Sequence, residues 1–135
     1  MDARFLLDTN TASEIIREQD PTVRANVAAA PAGSLWLSSI SQGELLFGLE
    51  KRGNPKELSR LVHAFLLRVL IAPWSADCAL HYAPLRHRLE RAGTPLSAMD
   101  MLIAAQAVAA GATLVSSDRA FRHIKGLKLA DWRKA

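Results

Sequence analysis

The order of apolar and polar segments predicts an α/β domain: a short, mostly parallel central sheet of four or five strands with helices on both faces. Three observations carry that expectation. Strand-like apolar runs alternate with helical patterns along the chain. The runs are continuous rather than alternating, as in strands covered on both faces. A chain of 135 residues, 50% of them apolar, has the size of one domain and the means to bury roughly two-thirds of its unfolded surface. No repeat, low-complexity tract or linker divides residues 1–135, so a single domain is predicted.

Arg4-Phe5-Leu6-Leu7 is a buried strand that stops sharply at Asp8-Thr9-Asn10, a helix start. A helix through Ala12, Ile15 and Ile16 ends near Gln19-Asp20-Pro21, and a shorter one through Val23 and Val27 precedes the turn Pro31-Ala32-Gly33. Leu35-Trp36-Leu37-Ser38 is the second strand. Ser41 then opens a helix with Leu45, Leu46 and Leu49 on one face, broken at Gly53-Asn54-Pro55. Leu58, Leu61, Val62, Phe65 and Leu66 follow the stripe of an amphipathic helix. Val69 to Ala72 is a third strand, stopped by Pro73-Trp74. A polar helix from Ser75 to Arg91 closes at Gly93 and Pro95, and Ser97 opens an apolar helix that ends at Gly111. Thr113-Leu114-Val115 is the fourth strand, and Leu127-Lys128-Leu129 adds a short fifth.

Composition excludes disordered, collagen-like and disulfide-scaffold classes, because apolar content is high and Cys78 is the lone cysteine. The first residues, Met1 to Asp8, lack the charged and apolar regions of a signal peptide. The most membrane-like stretch, Ala98 to Val115, carries Asp100, Gln106 and Gly111 and reads as a buried helix followed by a strand. A soluble, cytoplasmic protein with no membrane partner is expected. The net charge is +4, with 17 Lys and Arg against 13 Asp and Glu, and most of the cations are arginines, whose planar forks grip phosphates. A polyanionic partner is permitted by that balance and not required by it.

The informative feature is the position of four acids. Asp8 follows the first strand and Asp118 follows the fourth; Glu44 stands three residues after Ser41, and Asp100 three after Ser97. Open parallel sheets place ligands outside the carboxyl ends of their strands, where all four can converge. Each acid also has a plain structural reading, as an N-cap (Asp8, Asp118) or as the third residue of a capping box (Glu44, Asp100). Asp100 tips the balance. Its neighbours from Ala98 to Ala105 are otherwise apolar, with no Lys or Arg within a helical turn, and a carboxylate placed there is costly unless paired or bound to a cation. Crowded carboxylates repel one another unless a divalent ion fills the space between them. Oxygen-only ligation suits Mg2+ or Mn2+, and such an ion supports phosphodiester hydrolysis. Arg119, Arg122 and Lys125, just beyond Asp118, would meet a polyanion held near the acids.

These residues resemble the PIN-domain ribonucleases: Asp8-Thr9-Asn10 after an N-terminal strand, Ser38 to Leu45 in the middle, and Leu96-Ser97-Ala98-Met99-Asp100 before an alanine-rich helix. The tail, from Gly111 through Asp118 and Phe121 to Asp131-Trp132, is similar to that of VapC toxins of type II toxin–antitoxin pairs. The resemblance implies a PIN-like fold and a toxic Mg2+- or Mn2+-dependent endoribonuclease, cutting tRNA or rRNA and silenced by a cognate VapB-like antitoxin. It also implies a homodimer. Position by position, Asp8, Glu44, Asp100 and Asp118 match the family's catalytic, metal-binding acids, and Asn10 and Ser41 match polar positions that support the site. Two departures stand out: Ser97 where many relatives have glycine, and Ser117-Asp118 where many carry asparagines. In relatives, helices like the pair around Gly53-Asn54-Pro55, here carrying Phe47 and Phe65, clasp the antitoxin, while Leu61, Val62 and Phe65 read as ordinary core.

Other signals are set aside. Gly48 to Gly53 has phosphate-loop glycine spacing but lacks the following Lys-Ser/Thr. The four histidines lack zinc spacing. Cys78 and the three tryptophans read as packing residues. A receiver-like signalling domain would need an acidic pair after the first strand and an Asp after the third, which this chain lacks. A catalytically silent nucleic-acid-binding module is the remaining alternative to the nuclease.

Overall fold

Five strands of three or four residues lie in the order β3-β2-β1-β4-β5, every neighbouring pair parallel. The structure, a computed structural model, describes residues 3–94 and 96–134. In chain order the elements are β1 (Phe5–Leu7), α1 (Thr9–Arg17), α2 (Pro21–Ala29), β2 (Leu35–Ser38), α3 (Ser39–Lys51) and α4 (Lys56–Arg68). There follow β3 (Leu70–Ala72), α5 (Ala76–Ala92), α6 (Ala98–Ala110), β4 (Thr113–Val115), a 3-10 helix (Arg119–His123) and β5 (Lys128–Ala130). The predicted α/β class and the parallel sheet are both present. Pro95, read in the sequence as part of the stop after α5, lies outside the described residues.

Strand side chains alternate between the faces, and the two cores follow from that alternation. Leu7, Leu37 and Val115 pack with Ile15, Ile16, Leu45, Leu49, Val62 and Phe65 on the side covered by α1 to α4. Leu6 and Leu114 pack with Leu85, Leu89, Ile103, Ala104 and Phe121 on the side covered by α5, α6 and the 3-10 helix. The small alanines let α6 lie close to its neighbours: Ala104, Ala105 and Ala107 are fully buried. It ends, as the sequence predicts, at Gly111, whose φ of +62° a residue with a side chain rarely adopts.

One expectation is corrected, and two regions are sharpened. Helix α3 starts at Ser39 rather than Ser41, with Ser38 as its N-cap accepting the Ile40 amide. Ser41 is therefore inside the first turn and fully buried, and Glu44 sits in the second turn, so no capping box forms there. The basic segment after Asp118 is a 3-10 helix that the sequence pattern did not announce. Phe65 belongs to the core, in line with its packing reading, whereas Phe47 is 64% exposed, so only Phe47 of that pair is available to a partner. Among the described residues no helix is long and apolar enough to cross a membrane.

The packing readings of the remaining singular residues agree with the structure. Cys78 is buried. Trp132 is buried against Phe5, Trp74 donates its indole N–H to the Leu102 carbonyl, and Trp36 lies under the Arg4 guanidinium.

Candidate functional site

The parallel strands all deliver their carboxyl ends to one rim, and the four strand-to-helix junctions, after β1, β2, β3 and β4, begin there. Asp8 leaves β1 as the N-cap of α1: its Oδ1 accepts the Thr11 amide at 2.8 Å. The side chain is buried, and Thr11 is itself tied to β4, its hydroxyl donating to the Val115 carbonyl. Asp118 follows β4 in the same manner. Its amide donates to the Ser116 hydroxyl and its Oδ1 accepts the Ala120 amide at 2.9 Å. The helix-end roles read from the sequence are thus real for both. In each, one carboxylate oxygen is held by the cap, and among the described residues the other accepts no hydrogen bond.

Asp100 stands in the first turn of α6, where its amide donates to the hydroxyl of the N-cap Ser97. It is half-buried rather than buried, yet its carboxyl is held above the usual carboxylate range. Partial burial is the leading cause, and the Ser97 hydroxyl opposes it. Repulsion from Asp118, Asp8 and Glu44 adds to the upward push. All three other predicted acids therefore lie within electrostatic reach of Asp100.

Glu44 reaches the rim from α3 through a relay that the sequence did not reveal. The Thr9 hydroxyl lies 2.9 Å from Glu44 Oε1 and 3.0 Å from the Ser41 hydroxyl. With one proton to give, Thr9 donates to the carboxylate and accepts from Ser41. Ser41 is thus brought to the site, as predicted, but acts from a fully buried position and through Thr9. Asn10, the other predicted supporting residue, is exposed beside Thr9 and Glu44 at the mouth of a cleft of about 270 Å3 between α1, α3 and α4.

The predicted basic trio is divided. Arg119 and Arg122 line a cleft of about 250 Å3 together with Asp118, whereas Lys125 lies in a separate cleft against α5. The donor set at the rim is oxygen only. Among the described residues none of the four acids forms a salt bridge with Lys or Arg. Among the same residues no three acidic, His or Cys side chains already stand in chelating positions around one point. The rim after β3 carries Pro73 and Trp74, leaving no aspartate there for a receiver-type phosphorylation.

Comparison with known proteins decides the family. The profile described as PIN domain matches residues 5–127. The chain belongs to the PIN-domain family, among the VapC ribonucleases. It is 31% identical to the "tRNA(fMet)-specific endonuclease VapC" of Salmonella typhimurium, covering 96% of this chain and 98% of that one. It is 33% identical to "Ribonuclease VapC2" of Rickettsia felis over the same shares. Among solved structures, DNA-bound VapBC from Salmonella typhimurium superposes with a TM-score of 0.89 at 30% identity, covering 96% of this chain and 98% of that chain. The order of elements and the sheet described above are therefore those of a VapC-type PIN domain.

Proposed function

We propose that this chain is the toxin of a VapBC-type pair: an endoribonuclease that hydrolyses RNA phosphodiester bonds with a divalent metal and is silenced by a VapB-like antitoxin. What supports the catalytic part is that Asp8 and Asp118 cap the turns after β1 and β4, Glu44 is bonded by Thr9 of α1, and the Asp100 carboxyl, raised first by partial burial, also feels repulsion from those three acids. Nucleases of this family generally use a divalent metal, and the residues present fit one. Among the described residues the four carboxylates offer hard oxygen donors with no Lys or Arg paired to them, a donor set that suits Mg2+ or Mn2+ with water completing the coordination.

In this reading Asp8 and Asp100 are the primary ligands, and Glu44 and Asp118 complete the pocket directly or through water. When bound, the metal lowers the pKa of water and polarises a phosphoryl oxygen. The protein's own contribution is positioning. The two N-cap bonds hold one oxygen each of Asp8 and Asp118, and the Thr9–Ser41 pair holds Glu44, which limits the motion of the carboxylates before substrate arrives. Arg119 and Arg122, beside Asp118, are placed to hold phosphates of the strand being cut.

The antitoxin partner is supported by VapBC complexes among the similar structures. The cleft beside Asn10 and Glu44, walled by α1, α3 and α4, and the exposed Phe47 are available to it. A homodimer of the toxin is expected from the family. Incubation with total RNA and Mg2+ or Mn2+, with and without EDTA, tests the chemistry once cut ends are mapped. Cleavage that stops with EDTA and with Asp8→Asn is the expected result. RNA that is bound equally in both conditions and never cut would leave a silent binding module instead. Growth arrest on expression, relieved by co-expression of the neighbouring antitoxin gene, tests the toxin assignment separately.

A further inference from the structure

The 3-10 helix after Asp118 is a basic ridge between two clefts. On one side Arg119, Arg122 and Lys134 share the first cleft with Asp118 and with Asp131, which is paired with Arg133. On the other, in a cleft of about 180 Å3, Arg88, His123 and Lys125 stand over the buried side chains of Leu85, Leu89 and Ile124. No acid lines this second cleft. Among the described residues Arg88, Arg119, Arg122 and Lys125 make no salt bridge, and Glu90, the acid on the adjoining turn of α5, is already held by Arg86. The cleft on the opposite face of the sheet, lined by Arg24 and Arg68, differs in containing Glu18. From residue 119 to residue 130 the chain carries Arg119, Arg122, Lys125 and Lys128 and no acid.

We propose that the RNA strand, once engaged at the acid cluster, crosses the 3-10 helix and continues into the cleft against α5, where Arg88 and Lys125 hold its phosphates. The inference rests on the nuclease reading above and extends it to a second contact surface. Charge complementarity selects the occupant, because free cations without acidic partners beside a phosphodiesterase site favour a continuing polyanion. Geometry sets its reach: five residues of 3-10 helix rise about 10 Å, a span that a few nucleotides of single strand can cover. The apolar floor accepts a base without reading its identity, and the Arg88 guanidinium offers a plane on which one can stack.

The test uses a fluorescein-labelled single-stranded RNA of about a dozen nucleotides, bound in EDTA so that it stays intact and titrated over a range of salt. The double variant Arg88→Glu/Lys125→Glu is expected to weaken binding at least tenfold. It should also flatten the dependence of log affinity on log salt by about 1.4, the loss of two single-strand phosphate contacts. Arg24→Glu, a charge reversal on the opposite face, should weaken it less than twofold. The Mn2+-induced rise in Tm is measured on each variant as a check that the acid cluster is intact. Equal weakening by Arg24→Glu, or an unchanged salt slope in the double variant, overturns the proposed path. Failure of the wild-type protein to cut RNA in Mn2+ would instead overturn the nuclease reading, so the two outcomes are distinguishable.

Discussion

The two halves of the acidic rim are held differently. Asp8 and Glu44, on the α1–α3 side, are buried or half-buried and tied down by the Thr11 amide and by the Thr9–Ser41 relay. Asp100 and Asp118, on the side of α6 and the 3-10 helix, are half-buried and exposed respectively. Their fixed contacts are confined to their own turns. One half is tied down by hydrogen bonds that cross between elements; in the other the Asp100 carboxyl is pushed up, by partial burial first and then by repulsion from Asp118, Asp8 and Glu44. A metal would therefore gain orientation from the first half and relieve repulsion in the second.

That contrast is broken most severely at Asp8. Asp8→Asn keeps the N-cap, since Asn caps as well as Asp, but removes the charge. RNA cleavage should fall by about 100- to 1,000-fold or more, the range for losing a preorganised charge-stabilising group. Tm in EDTA should stay near wild type, with gel-resolved cleavage rates and thermal denaturation as the two readouts. Next comes the relay. Thr9→Val deletes the hydroxyl that links Ser41 to Glu44, and both Mn2+ affinity, measured by calorimetry, and activity should drop about 10- to 100-fold. Thr9→Ser, which keeps the hydroxyl, should recover most of the loss; equal loss in both variants would show that Thr9 matters for packing alone. Asp118→Asn, at an exposed position and still able to cap, should cost less than about tenfold in cleavage.

The smallest effect is on stability, and its sign follows from the direction of the Asp100 shift. A carboxyl whose pKa is higher folded than unfolded opposes folding once it ionises. The metal-free protein should thus lose stability as pH rises from the ordinary aspartate range through the raised value. Asp100→Asn should abolish that loss and raise Tm in EDTA at neutral pH by about 2 °C, scored by thermal melts across pH. A lower Tm for the variant would mean that the carboxylate is stabilised by a partner.

Much of this arrangement was legible in the chain. Continuous apolar runs located the strands to within a residue or two, and a sharp polar stop after each placed Asp8 and Asp118 at carboxyl ends. What failed did so for physical reasons. Ser38, Ser39 and Ser41 are all competent N-caps, and the choice of Ser38 depends on where β2 stops pairing with β3 at Ser38 and Ala72. The Thr9–Ser41 contact joins positions 32 apart, and no local period encodes it. The burial inferred for Asp100 from its apolar neighbours was overstated because the first turn of α6 reaches the rim, where Ser97 and Met99 are exposed. The division of Arg119, Arg122 and Lys125 between two clefts needed the 3-10 helix, whose short span carries little sequence signature.

The most direct measurement is anomalous diffraction from crystals soaked in Mn2+. A peak in the anomalous map within coordination distance of the carboxylates of Asp8 and Asp100, lost in Asp8→Asn crystals, is the predicted result. Ordered carboxylates with no peak between them, or manganese bound only elsewhere on the molecule, would contradict the account.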